Sequence, residues 1–289
     1  MQLKYVTMTP KGQLLIIGGK EDKAGKDPEM KKDNNNFTPH EILKLLAKSK
    51  DDRIEVITAA TTDPESMRKT YTETFKEIGY TNFDFLDICD DQIHTDYHLK
   101  RVEAAQTVFF TGGDQNRICN TLQQSVLTDL LKEKYWNEEN FMIAGTSAGA
   151  MCMPKIVILD AINGEAILEH DIELNLGLGL IHNCIIDTHF VHRARFGRLA
   201  HAVILNQDCW GVGLGEDTAL LIEQGSKATC RGSGMVWMLS AAEIGKTNTR
   251  NVKKGFPIYA ENLKVHILTD QCKIDLNNNQ FEGACSGEI

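Results

Sequence analysis

A serine lies between two glycines in the run Gly145-Thr146-Ser147-Ala148-Gly149, directly after the apolar stretch 141–144. This pattern is typical of a strand-to-helix turn that exposes one serine as a nucleophile, and the N–H of Ala148 would point towards a developing oxyanion. The flanking glycines allow a strained backbone and close packing. A glycine-rich helix start packed on a sheet has the same composition, so the pentapeptide alone leaves both interpretations open.

Two later segments supply the other groups that a serine nucleophile needs, which are a base and a carboxylate that orients it. His189 follows the largely apolar run 184–187 by two residues, and Glu216 lies in the glycine-rich run 213–218. Taken singly, His189 could be a structural histidine and Glu216 a turn residue. Together with Ser147 they predict a catalytic triad, in which we expect His192 to point elsewhere.

Glycine pairs follow two other apolar stretches. Gly112-Gly113 could simply turn the chain, but the carboxyl ends of parallel strands are where ligands bind, so we predict that Gly113 and Ala148 donate the oxyanion-hole N–H groups. Gly18-Gly19 lacks the third glycine and the acidic partner of a dinucleotide fingerprint. We therefore expect no nucleotide cofactor.

Three arginines follow the presumed base closely. Arg193, Arg195 and Arg198 form a local basic cluster, which elsewhere would be a solvated surface or a set of ion pairs. Beside a catalytic histidine, guanidinium groups are well suited to bind substrate carboxylates. Asp187 could meet a cationic group of the substrate, or equally could position its neighbours.

Four separated motifs together resemble those of the cyanophycinases, which are S51 serine peptidases related to the aspartyl dipeptidases. The resemblance runs in order from about Leu15 to about Glu223. In chain order the motifs are Phe109-Phe110-Thr111-Gly112-Gly113-Asp114-Gln115, Gly145-Thr146-Ser147-Ala148-Gly149-Ala150, Asp187-x-His189-Phe190-x-x-Arg193-x-Arg195-x-x-Arg198-Leu199 and Glu216-Asp217-Thr218-Ala219.

The resemblance implies an activity, a fold and an assembly. The activity is hydrolysis of cyanophycin, a polyaspartate whose β-carboxyls carry arginine, to β-aspartyl-arginine dipeptides through an acyl-enzyme. The fold is a class I glutamine amidotransferase-like, flavodoxin-like core, and the assembly is a homodimer. The family's catalytic serine, histidine and glutamate fall on Ser147, His189 and Glu216. Its other active-site positions fall on Gln115, Asp187, Arg193, Arg195 and Arg198, which we assign, together with Thr188, to substrate binding.

Two positions depart from the usual pattern of the family. Thr188 stands where the cyanobacterial enzymes usually have glutamine, and Gly215 replaces an acidic residue often found before the Glu-Asp-Thr run. Both departures concern the choice of substrate more than the mechanism. An aspartyl dipeptidase acting on Asp-X peptides therefore stays open as an alternative.

Short apolar strands alternate with helical segments, which predicts one α/β domain over residues 1–289 with a mainly parallel sheet covered by helices on both faces. Predicted core strands are Gln13–Ile17, Ile54–Thr58, Phe83–Ile88, Thr107–Thr111, Phe141–Ala144 and Cys184–Asp187. A capping box at Thr38–Glu41 and the apolar spacing in Ser66–Ile78 predict two helices. Additional antiparallel strands, expected to extend or flank the same sheet, are Thr218–Ile222, Lys227–Arg231, Met235–Leu239 and Lys264–Leu268.

Composition excludes several classes of protein. With 31 basic and 40 acidic residues the formal charge is −9, which argues against a nucleic-acid or anionic-membrane surface. No apolar run is long enough to span a bilayer, and the start Met1–Tyr5 lacks the layout of a signal peptide. Eight cysteines are scattered without a C-x-x-C pair, which favours reduced thiols over a zinc site. We expect a cytoplasmic protein.

Two other functional classes are alternatives to a serine peptidase. Asp187, His189 and His192 have tolerable metal-ligand spacing, so a metallohydrolase in which Ser147 is structural is one alternative. No further cluster completes such a site, and we expect neither a metal nor another cofactor. A non-catalytic binding protein on the same fold would leave all three catalytic groups unused.

Overall fold

Strands and helices alternate along the first half of the chain, and strands follow one another in the last third. The structure, a computed structural model, describes residues 9–28, 37–88, 96–162 and 165–283. The strands are β1 (Gln13–Ile17), β2 (Ile54–Ile57), β3 (Phe83–Leu86), β4 (Thr107–Phe110), β5 (Met142–Thr146), β6 (Ile156–Ala161), β7 (Ile172–Leu176), β8 (Cys184–Asp187), β9 (Trp210–Leu214), β10 (Thr218–Glu223), β11 (Lys227–Gly232), β12 (Val236–Ser240), β13 (Lys264–Leu268), β14 (Lys273–Asp275) and β15 (Gln280–Glu282). The helices are α1 (Glu41–Lys44), α2 (Pro64–Ile78), α3 (Asp96–Ala104), α4 (Gln115–Leu122), α5 (Val126–Asn137), α6 (Ala148–Met151) and α7 (Phe196–Leu205).

The largest sheet has nine strands in the order β15-β14-β11-β10-β1-β5-β4-β2-β3. From β1 to β3 every neighbouring pair is parallel, whereas β10, β11, β14 and β15 join beyond β1 as antiparallel strands. The predicted α/β class, with a mainly parallel core and antiparallel additions, is confirmed. None of the helices described is long and apolar enough to cross a membrane.

Both faces of the central strands are buried. In β1, Leu14 and Ile16 belong to one apolar cluster, while Leu15 and Ile17 belong to a second cluster on the opposite face. Successive side chains of a strand point to opposite faces, so a strand covered on both sides reads as an uninterrupted apolar run. This explains why the sequence predicts β1 with its correct bounds.

The second predicted helix is present as α2 and is capped at both ends. Asp63 accepts a hydrogen bond from the N–H of Ser66, Pro64 occupies the first turn, and Gly79 ends the helix with a φ of 94°. These are the residue types that helix ends favour, since they satisfy free backbone groups or tolerate a left-handed conformation. Tyr71 and Phe75 pack into the second cluster, as their spacing predicted.

The helix predicted from the capping box is only one turn long. α1 covers Glu41–Lys44, and the preceding His40 has a left-handed φ of 55° without any side-chain cap. The N–H of His40 instead donates to the buried carboxylate of Asp22 at 2.9 Å. A contact distant in sequence therefore overrides the local signal of Thr38 and Pro39.

The last predicted core strand, β8, does not belong to the large sheet. It pairs in parallel with β9, within a second sheet of order β13-β12-β9-β8. β1 and β5 each already have strands on both sides, so β8 cannot pair with either of them. The predicted antiparallel strands are likewise divided, with β10 and β11 in the large sheet and β12 and β13 in the second.

Candidate active site

Ser147 occupies a sharp turn between β5 and α6. Its φ of 53° and ψ of −116° lie in a region that residues other than glycine rarely adopt, at a typical cost of about 1–3 kcal/mol. Its N–H donates to the carbonyl of Ile17 at the end of β1, at 3.0 Å. The turn therefore holds the serine at the carboxyl edge of the parallel sheet.

The glycines around Ser147 are required by close packing. A Cβ at Gly145 would clash with the carbonyl of Gly149, and one at Gly149 would clash with the carbonyl of Phe110. No side chain fits at either position without moving backbone. The geometry thus agrees with the strand-to-helix turn that the sequence predicts.

The structure brings Ser147, His189 and Glu216 into one hydrogen-bonded chain. Ser147 Oγ lies 3.0 Å from Nε2 of His189, and Nδ1 of the same ring lies 2.8 Å from Oε1 of Glu216. His189 is 6% exposed and Glu216 is 4% exposed. A histidine placed in this way can take the serine proton while the carboxylate fixes its tautomer.

The environment favours a neutral imidazole beside an ionised carboxylate. Burial lowers the pKa of His189; its hydrogen bond with Glu216 opposes this, and the charges of Arg193 and Arg195 lower the pKa further. Burial alone would raise the pKa of Glu216, but the contacts with His189 and Lys20 bring it below its ordinary value. At neutral pH the imidazole is therefore free to accept a proton.

Gly18-Gly19, which the sequence excluded only as a nucleotide motif, supports the histidine. The carbonyl of Gly18 accepts the N–H of His189 at 2.9 Å. Gly19 has a φ of 97°, and a Cβ there would lie 2.5 Å from Nε2 of His189. Gly18 in turn packs against the carbonyl of Gly215, where any added side chain would clash. The only local signal for this role is a glycine pair at the end of a buried strand.

Three backbone positions near Ser147 form the candidate oxyanion site. Gly112 packs beside the serine, because a Cβ at this glycine would lie 3.4 Å from Ser147 Cβ. Gly113 has a φ of 147°, and a Cβ there would clash with the carbonyl of Ala60. Ala148 is the first residue of α6, so its N–H has no acceptor within the helix. The N–H groups of Gly113 and Ala148 stay the candidate donors.

Asp187 is buried and binds two arginines through its carboxylate. It has no exposed surface, and its carboxylate accepts hydrogen bonds from Arg195 Nη1 at 3.0 Å and from Arg198 Nε at 2.6 Å. Burial lowers the pKa of Arg195 to about 10. Arg193, in contrast, is exposed. Of the three arginines, two are therefore engaged with Asp187 and the third faces solvent.

Two other predicted substrate contacts have protein partners. Thr188 is fully buried, and its hydroxyl donates to the sulfur of Met151 at 3.3 Å. The side-chain amide of Gln115 donates to the carbonyls of Ile158 and Leu159, at 3.1 and 2.6 Å. Gln115 thereby ties the start of α4 to β6.

The expectation that His192 points away from the triad is wrong. Its Nδ1 lies 3.6 Å from Oε2 of Glu216, and Lys20 Nζ lies 3.1 Å from the same oxygen. The N–H of Arg193 bonds to the carbonyl of His189, and this turn brings His192 back towards the carboxylate. Lys20 was not recognised from the sequence, because nothing local links it to Glu216.

Asp217 and Asp187, the acids nearest in sequence to Glu216 and His189, have other partners. Asp217 accepts from the N–H of Asp22 at 3.0 Å and from the hydroxyl of Ser233 at 2.6 Å. Burial raises the pKa of Asp217 to about 6. Among the described residues no group of three or more His, Cys, Asp or Glu side chains is placed to hold a metal ion. Asp187 faces its two arginines instead of His189.

Arg198→Ala is expected to lower the free energy of unfolding by about 3 kcal/mol, because it leaves a fully buried carboxylate with one cationic partner. Arg193→Ala is the matched control and should change stability by less than about 0.5 kcal/mol, since Arg193 is exposed. Urea denaturation of both variants measures the difference. Equal stabilities would show that the Asp187–Arg198 pair does not support the fold.

Comparison with known proteins identifies similar sequences over most of the chain. The profile of peptidase family S51 matches residues 26–230. The cyanophycinase of Trichormus variabilis is 32% identical over 277 residues, which cover 93% of this chain and 88% of that protein. The cyanophycinase of Synechococcus elongatus is 30% identical over 279 residues, with 95% and 82% covered.

Two solved structures share the fold. A peptidase from an acI-B1 Actinobacterium superposes with a TM-score of 0.60 at 19% identity, covering 93% of this chain and 98% of its own. A putative peptidase E protein from Listeria monocytogenes gives a TM-score of 0.51 at 13% identity, with 77% and 99% covered. At these identities the likeness concerns the fold alone.

Proposed function

This chain belongs to peptidase family S51 and is a serine-type peptidase, and on that premise we propose that it is an exopeptidase that hydrolyses cyanophycin to β-aspartyl-arginine dipeptides. The observation that carries the proposal is the hydrogen-bonded chain from Ser147 through His189 to Glu216. Relatives at 30–32% identity that carry the name cyanophycinase support the substrate.

The proposed mechanism uses the three residues as one catalytic triad. His189 accepts the proton of Ser147 Oγ as the oxygen attacks an aspartyl carbonyl, and Glu216 stabilises the imidazolium that forms. The N–H groups of Gly113 and Ala148 bind the oxyanion, at roughly 3 kcal/mol per donor. His189 then protonates the leaving amine, and water hydrolyses the acyl-enzyme with the same base.

The surroundings of the triad suggest how the substrate is held. Arg193, exposed and close to the base, is the proposed direct contact for a substrate carboxylate. Arg195 and Arg198 would act mainly through Asp187, by holding the loop that carries His189. Gln115 is half-buried and is kept as part of the pocket wall, with its amide engaged by the protein. Thr188 has no exposed surface, so it would act only from behind that wall, where its hydroxyl donates to Met151.

Incubation of the purified protein with cyanophycin and, separately, with a panel of Asp-X dipeptides tests the substrate. The proposal expects β-aspartyl-arginine dipeptides from the polymer, identified by mass, and slower or no cleavage of the panel. Cleavage of Asp-X dipeptides with the polymer left intact would instead identify an aspartyl dipeptidase.

The acid limb of kcat/KM should have its midpoint below about 6.5, the ordinary pKa of histidine. The physical reason is that burial, together with Arg193 and Arg195, lowers the pKa of His189, which must be neutral to act as the base. A pH profile on cyanophycin measures the midpoint, and circular dichroism at each pH shows whether the protein stays folded. A midpoint above 7 would contradict the assignment of His189 as this base.

We further propose that residues 1–289 form one peptidase domain, which works as a homodimer in the cytoplasm. One apolar cluster contains Leu14 of the large sheet together with Ile185 and Met238 of the second sheet, which supports a shared core. The six described cysteines are free thiols, as suits a reducing compartment. The dimer is suggested by the resemblance to the family, and light scattering after gel filtration tests it.

A further inference from the structure

Lys20 follows the glycine pair at the end of β1 and contacts the carboxylate of the triad. Its Nζ lies 3.1 Å from Oε2 of Glu216, although 64% of the lysine side chain is exposed. We propose that Lys20 is a positioning residue, whose ammonium holds the Glu216 carboxylate so that Oε1 faces His189. The inference rests on the proposed role of Glu216 in the triad.

The two oxygens of Glu216 have different partners. Oε1 is 2.8 Å from Nδ1 of His189, while Oε2 is bound by Lys20, with His192 further away at 3.6 Å. The terminal torsion of a glutamate has a broad minimum, so a single contact would leave the carboxylate free to rotate. Glu216 is only 4% exposed, so water has little access to Oε2. Lys20 thus supplies the second contact that defines the orientation.

The backbone on both sides of Lys20 is held in place. The carbonyl of Gly19 accepts the N–H of Asp217 at 3.0 Å. On the other side, the buried carboxylate of Glu21 accepts hydrogen bonds from the hydroxyls of Tyr71 and Thr146, each at 2.5 Å. Thr146 directly precedes the nucleophile. One short segment after β1 therefore connects the carboxylate and the serine turn, and it fixes the point from which Lys20 reaches Glu216.

Other charged groups near Glu216 and His189 come from the loop after β8 and from Asp217. His192, Arg193 and Arg195 belong to the loop after β8, and the two arginines act on His189 while His192 acts on Glu216. The carboxylate of Asp217, next to Glu216 in the chain, is directed to Asp22 and Ser233 instead. Removal of the Lys20 charge would leave the negative charge of Glu216 less neutralised. That charge would then stabilise the protonated form of His189 more strongly. The pKa of His189 should therefore rise.

The test compares Lys20→Met and Lys20→Arg with Lys264→Met, which removes an exposed lysine at the start of β13, an edge strand of the second sheet, where it is paired with Glu243. The pKa of His189 is measured by NMR titration of isotope-labelled histidine, with the signal assigned by its loss in His189→Gln. In Lys20→Met it should rise by about half a pH unit, the size expected for one charge acting across a carboxylate in nearly full water screening. Lys20→Arg and Lys264→Met should match the wild type.

Kinetics provide a second readout. Lys20→Met should lower kcat on cyanophycin by roughly tenfold with KM unchanged, because a carboxylate that is free to rotate orients His189 less well. Lys20→Arg keeps the positive charge and should therefore retain most of the wild-type kcat. If Lys20→Met did not fold, Lys20→Gln would be measured in the same way.

Two results would overturn the proposal. An unchanged His189 pKa in Lys20→Met would show that the contact between Lys20 and Glu216 does not influence His189. A raised KM with unchanged kcat would show that Lys20 binds substrate instead of positioning Glu216. The titration needs no substrate, so its outcome is independent of whether cyanophycin is hydrolysed.

Discussion

Ser147→Ala is expected to leave a folded protein whose turnover of cyanophycin falls on the order of 10⁵-fold. The alanine keeps the Cβ and the strained turn, so the fold should be unaffected, but no oxygen remains 3.0 Å from His189 to attack a carbonyl. Initial rates of dipeptide release, compared with the wild type at saturating substrate, measure the loss.

Ser49→Ala is the matched control for this variant. Ser49 is exposed and its hydroxyl contacts Asp51 on the surface, so the change should leave kcat within about twofold of the wild type. Thermal unfolding of both variants checks that they are folded. Turnover by Ser147→Ala close to that of the wild type would remove Ser147 from the mechanism.

His189→Ala should be nearly as damaging as Ser147→Ala, because the hydroxyl has no other described base within hydrogen-bond distance. When two residues act as one catalytic unit, removing either one abolishes the contribution of both. The double variant should therefore be hardly slower than either single variant. Rates of the two single variants and the double variant form the cycle that measures this coupling.

His182→Ala serves as the control for removal of an imidazole, since His182 is exposed and lies before β8. It should retain full activity. If the losses at Ser147 and His189 instead multiplied in the double variant, the two residues would be acting independently, and the base would have to be sought elsewhere.

Local patterns predicted those features that local physics decides. The bounds of β1 and β13 follow from apolar runs between turn residues, and the serine turn follows from glycines that close packing requires. Residue types and the family resemblance predict the three residues of the candidate triad, and the structure places them in contact. The strand and turn signals lie in neighbouring residues, whereas Ser147, His189 and Glu216 are far apart in the chain and are linked only by residue type and by the resemblance.

Features that depend on distant contacts were missed, placed wrongly or left open. α1 is short because Asp22, far from it in sequence, binds the N–H of His40. β8 lies in the second sheet because β1 and β5 are each already paired with a strand on both sides. No local sequence pattern reveals this. Two of the three arginines bind Asp187 inside the protein, a pairing that the sequence left open beside substrate binding.

In the proposed mechanism, Ser147 carries the acyl group during hydrolysis of an aspartyl peptide bond. Acid quenching of the wild type within the first turnovers on cyanophycin, followed by digestion and mass spectrometry, measures this directly. We expect an adduct containing aspartyl-arginine units on the peptide that bears Ser147, and no adduct in Ser147→Ala. An adduct on another residue, or dipeptide release by Ser147→Ala at the wild-type rate, would contradict it.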